Sequence, residues 1–157
     1  MTEVLLNNEI DFPLPTSLEK VIHAILQDHG ITEGEVSLAI VDDPTIHQLN
    51  RDHLQHDYAT DVLSFVLDKS DNELDGEVIV SCDTATKVAT EYGWSAQDEL
   101  LLYFIHGCLH LVGYDDHCDE DRLAMRNAEV KYLSVAGVDA PAGHADRVLI
   151  SSEGATE

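Results

Sequence analysis

Apolar and polar positions follow two periods along this chain, and the changes between them mark its elements. Val4 to Ile10 predicts a first strand, broken by Pro13 and Pro15. Thr16-Ser17-Leu18-Glu19 has capping-box spacing, and Leu18, Val21, Ile22, Ile25 and Leu26 follow at helical intervals up to Gly30. Val36, Leu38 and Ile40 alternate with smaller or polar residues, as a strand does. Asp43-Pro44 suits a helix start, with Ile46, Leu49 and Leu54 as its apolar stripe. Asp61 to Leu67 and Gly76 to Ser81 read as paired strands, with the polar run Ser70 to Asp75 as their turn. Asp83 is the expected cap of a short helix that Gly93 ends. Ser95-Ala96-Gln97-Asp98 is a second capping box; its helix runs to Gly113, and a last helix covers Asp119 to Ala136.

The order β-α-β-α-β-β-α-α-α predicts an α+β fold, a small mixed sheet of about four strands packed with several helices. No repeat or linker interrupts it. Residues 1–137 are expected to form a single domain, and the small and polar residues 138–157 a flexible tail. The length of 157 residues suits one hydrophobic core.

Charge narrows the partners. Eight Lys and Arg stand against 31 Asp and Glu, a formal net charge of -23, which repels phosphate backbones at long range. Leu100 to Ile105 is far too short to span a bilayer, so no membrane role is expected. Met1 to Ile10 is acidic without an export-type apolar core, and the expected location is cytoplasmic. Cys82, Cys108 and Cys118 form no CxxC pair and are expected as free thiols.

The chemistry concentrates in Phe104 to Cys118, FIHGCLHLVGYDDHC. His106 and His110 are four apart, which puts both imidazoles on one helix face within reach of one ion. The helix around them is apolar nearly all round, and buried imidazoles need partners for both nitrogens. Gly113 lets the chain reverse and return Asp115, Asp116 and His117 towards that face. Three protein ligands with an open position is the pattern of a catalytic zinc site. A peptidase of the H-E-x-x-H type requires Glu after the first histidine, and Gly107 stands there instead. Ser64 has no context that would activate it as a nucleophile, and no general base is legible. His23, His29, His47, His53 and His144 are scattered, and a surface position is expected for each.

With these residues in view, the chain resembles the YbeY family of bacterial endoribonucleases, whose signature is H-G-x-L-H-L-x-G-Y-D-H. His106 to Asp115 matches it throughout, Thr60 to Phe65 matches T-D-V-L-S-F, and Gly76 to Ser81 matches G-E-[IV]-x-[IV]-[SC]. Leu49-Asn50 matches an upstream L-N pair. The resemblance covers Val4 to Leu133 and implies a groove over one zinc ion, other divalent metals being tolerated. It implies cleavage of single-stranded rRNA in small-subunit maturation and ribosome quality control. The implied partners are the small ribosomal subunit and ribosomal or GTPase proteins, not DNA.

Two positions depart from the family. Its third zinc histidine falls on Asp116, and Met125 keeps the register without a gap; His117, one place later, is the alternative ligand. Where the family has an RNA-facing Arg, this chain has Leu54, leaving Arg51 and His56 as nearby candidates for phosphate contact. Thr60 and Asp61, at the head of a buried strand, are candidates to orient substrate or ligands, Asp61 with a catalytic part. The acidic surface and Leu54 also motivate an alternative, a ribosome-associated binding factor whose metal is mainly structural.

Overall fold

A computed structural model describes residues 2–54, 60–147, 149 and 151–155. The strands are β1 (Glu3–Asn7), β2 (Glu33–Val41), β3 (Val62–Lys69), β4 (Glu73–Ser81) and β5 (Ser151–Ala155). The helices are α1 (Leu18–Asp28), α2 (Asp43–Leu54), α3 (Cys82–Tyr92), α4 (Ala96–Leu111) and α5 (Asp119–Val135), with a 3-10 turn at His144–Asp146. The sheet order is β1-β2-β4-β3-β5. β3 and β4 are antiparallel, and every other neighbouring pair is parallel. The α+β architecture is the expected one, with five strands instead of about four.

Alternation along the strands sorts the sheet into two apolar faces. On one side Val36, Leu38, Val62, Leu74, Val78 and Val80 join the main core with α1, α4 and part of α5. On the other, Leu63, Phe65 and Ile79 meet Ile46 of α2, with Leu49 and Leu54 packed alongside. Leu54, the position where the resemblance implies an Arg, packs against this second cluster. α4 is buried along almost its whole length, which explains its lack of a polar stripe.

Local signals differ in how well they foretell boundaries. Ser95 caps α4 as expected, its hydroxyl accepting from Asp98 N at 3.1 Å. Ser17 precedes α1 without a side-chain cap, because its backbone is already in the helical region. α3 is capped by Ser81, not Asp83; the Asp83 carboxylate accepts from Asp43 N instead. The polar turn between β3 and β4 is shorter than expected, since Lys69 and Glu73 still belong to strands. Among residues 138–157, the segment read as a tail, His144, Arg147 and Leu149 are buried, and β5 pairs in register with β3.

Gly107 sets the distance between α4 and the sheet. A Cβ there would lie 2.4 Å from Val78 Cγ1 and 3.1 Å from Val62 Cγ1. The Ser64 hydroxyl donates to the Gly107 carbonyl across the same contact, at 3.4 Å. Gly107→Ala is expected to destabilise the fold: overpacking costs roughly 1–3 kcal/mol and outweighs the helix-propensity gain of about 1 kcal/mol. A urea titration reads this as a lower midpoint with an unchanged slope.

Candidate metal centre

The end of α4 is built to turn the chain back on itself. Gly113 takes φ +111°, a left-handed value that a side chain would oppose. Tyr114 N then donates to the Leu109 carbonyl at 2.9 Å, and Lys69 Nζ donates to the Leu111 carbonyl at 3.2 Å. The lysine satisfies an orphan carbonyl and complements the negative end of the helix. The loop that follows carries Asp115 to His117 before Cys118 caps α5.

His106 is fully buried, His110 is 5% exposed and Asp116 is 14% exposed. His106 Nδ1 donates to Glu129 Oε2 at 2.8 Å. His110 Nδ1 donates to the Tyr114 carbonyl at 3.0 Å, the only sense that a carbonyl permits. Each Nε2 of a neutral ring is then an acceptor, and the two face each other at 3.1 Å. Asp116 brings its carboxylate in beside them, Oδ2 at 3.6 Å from His106 Nε2 and Oδ1 at 3.8 Å from His110 Nε2. Burial pushes the His106 imidazole below its usual pKa, against the pull of Glu129, so protonating the ring is not the favoured remedy. With both rings neutral, four oxygen and nitrogen lone-pair donors converge: the two Nε2 atoms and the two Asp116 carboxylate oxygens. His106, His110 and Asp116 each bring a ligand atom within 4.8 Å of the others, close enough to share one metal ion.

Behind His106 lies a buried ionic cluster. Glu129 Oε1 is 3.2 Å from Arg126 Nε and 3.0 Å from His144 Nε2, contacts that meet ion-pair distance without the alignment of directed hydrogen bonds. Burial pushes the Glu129 carboxyl up, but His106, His144 and Arg126 together pull it down to about 2. Glu129 and Arg126 are not among the residues the sequence singles out, and His144, expected at the surface, is buried. The available signal was Glu129 lying on the stripe Met125, Ala128 and Tyr132, all of them buried. His144 sits among small and polar residues that announce no core.

The other expected site residues are distributed as follows. His117 is 75% exposed and pairs with Asp115 at 3.0 Å; it does not join His106 and His110. Arg51 is exposed on α2, across the sheet from α4, with Asp52 at 3.7 Å. His56 lies outside the described residues. Thr60 is buried and its hydroxyl donates to the Val62 carbonyl at 3.4 Å. Asp61 is also buried, and with burial itself and Glu99 it holds the Tyr103 hydroxyl in its neutral form.

Glu129→Ala would leave His106, Arg126 and His144 without their shared counter-charge. Breaking a buried ionic contact from one side costs about 3–5 kcal/mol, and Glu129→Gln should cost less because it keeps an acceptor. Unfolding free energies from denaturant titration of the two variants check both the size and the order.

Comparison with known proteins adds an independent line. The family described as Endoribonuclease YbeY matches residues 5–137. An endoribonuclease YbeY of Rhodopirellula baltica is 42% identical over 128 residues, covering 80% of this chain and 66% of that protein. One of Carboxydothermus hydrogenoformans is 39% identical over 132 residues, covering 83% of this chain and 92% of that protein. The solution structure of TM1509 from Thermotoga maritima superposes with a TM-score of 0.60 at 27% identity, covering 87% of this chain and 89% of that one. With the signature block seated on α4 and its turn, and with relatives that are named endoribonucleases, the chain belongs to the YbeY endoribonuclease family.

Proposed function

We propose that this protein is a zinc-dependent, single-strand-specific endoribonuclease acting in small-subunit rRNA maturation and ribosome quality control in the cytoplasm. The observation that carries the metal is the pair of Nε2 atoms facing each other with both Nδ1 atoms already donating. Two lone pairs and a carboxylate brought together repel, and a shared cation relieves that repulsion. Family membership supports the RNA substrate, and the ribosomal setting is what the resemblance implies. No helix among the described residues is long and apolar enough to cross a membrane.

His106, His110 and Asp116 would hold the ion. A zinc ion bound there would bring its water close to neutral pKa and offset charge on a phosphodiester. The chain supplies the rest. Glu129 and the Tyr114 carbonyl fix the tautomers, so both rings present Nε2. Asp116 as third ligand, in place of His117, lowers the charge of the centre and widens its tolerance to harder cations.

Elemental analysis should find one zinc per chain in the purified protein, lost in His110→Ala and Asp116→Ala but kept in His117→Ala. Cleavage of single-stranded RNA should follow the same pattern. A His117→Ala protein without metal would transfer the third-ligand role to that residue. If chelation melts the fold instead of only stopping cleavage, the binding-factor reading gains, because the ion is then structural.

The charge of -23 makes a second expectation. Most nucleases lose affinity as salt rises, because bound counterions are released. Here added salt screens a long-range repulsion between two polyanions. Between roughly 50 and 200 mM salt, kcat/KM on a single-stranded RNA should rise; a steep fall would reveal a local basic track that outweighs the net charge.

A further inference from the structure

Residues beyond the family-matched segment end on the same buried carboxylate as His106. The 3-10 turn packs against α5, and His144 sets its Nε2 3.0 Å from Glu129 Oε1. The other oxygen, Oε2, takes the His106 hydrogen at 2.8 Å. Three residues on, Arg147 is also buried and closes a two-point pair with Glu99 of α4, Nη1 to Oε1 at 3.1 Å and Nη2 to Oε2 at 2.5 Å. Trp94 Nε1 donates to the same Glu99 Oε1 at 2.8 Å, and the Arg147 guanidinium lies 4.2 Å from the centre of the Tyr92 ring. This short segment therefore grips both α4, which carries the two imidazoles, and α5, which carries Glu129.

A carboxylate tied through one oxygen can swing about its terminal bond. A second group seated against the other oxygen limits that swing by charge and contact, and an imidazole bonded to the carboxylate inherits its direction. Arg126 shares Oε1 from within α5 itself, so it turns with Glu129. His144 approaches from a separate segment, which Arg147 anchors to α4 two turns before His106.

We propose that His144 is a positioning residue of the metal centre, held by the Arg147–Glu99 pair, and that it raises ion affinity by fixing Glu129 and so the aim of His106 Nε2. The inference rests on the metal-centre reading above. Its test compares His144→Gln with His144→Asn. Glutamine carries a donor at about the reach of imidazole Nε2, while asparagine is of similar polarity and falls short. Zinc affinity is measured by competition with a chelating dye at one fixed pH, and cobalt absorption bands report ligand geometry. Melting of the zinc-free proteins supplies the stability control. Removing a partner behind a ligand lowers metal affinity about 10–100-fold. His144→Asn should lose about tenfold and shift the cobalt bands, while His144→Gln stays within about threefold of the unaltered protein. Equal affinities in all three proteins would overturn the proposal. So would equal losses in both variants accompanied by equally lowered melting, which is the mark of a role in stability alone. If the unaltered protein takes up no zinc or cobalt, the metal-centre reading itself fails, an outcome distinct from either of these.

Discussion

The hydrogen bond from His106 to Glu129 is the contact on which the centre depends. A carboxylate with no exposed surface is tolerated only when the groups around it repay its lost hydration. Here an imidazole, a guanidinium and a second imidazole do so, and the carboxyl stays ionised as a result. The ionised form is also the one that accepts from His106 Nδ1. Stability and chemistry are thereby joined at one residue: the charge that keeps α5 against α4 is the charge that selects the ring's tautomer.

The turn after α4 does the corresponding work for His110. Its Nδ1 is engaged by a backbone carbonyl, so this partner cannot titrate or rotate away. The reversal at Gly113 that brings the Tyr114 carbonyl into place also returns Asp116 to both rings. One piece of local backbone geometry therefore orients the second imidazole and delivers the carboxylate. The Lys69 contact with the Leu111 carbonyl ties that turn to the end of β3.

Much of this was legible in the chain. The periods of the apolar residues found four strands and the five helices, and the four-residue spacing of His106 and His110 found the core of the centre. The register of Met125 favours Asp116 over His117 as the third candidate while leaving both open; Asp116 lies beside both rings, and His117 pairs with Asp115. What escaped was set by tertiary contacts. Glu129, three residues from Arg126, reads in sequence like an ordinary surface ion pair on a helix, and only burial of the whole stripe makes it something else. Ser151–Ala155 shows no apolar alternation; backbone pairing along the edge of β3 makes it a strand. α3 begins at Cys82, so Ser81 holds the N-cap and Asp83 falls inside the first turn, its carboxylate accepting from Asp43 N of α2.

The close seating of Gly107 on Val78 has a mechanical consequence. A smooth cylinder resting on a sheet can roll, whereas a notch pressed over a ridge acts as a keyway. Rolling α4 by one position in either direction would bring the Cβ of a neighbouring residue onto the valine, so the helix is locked in azimuth by shape alone. The imidazoles one residue before the notch and three after it inherit that bearing, and a cation arriving there would have little left to organise.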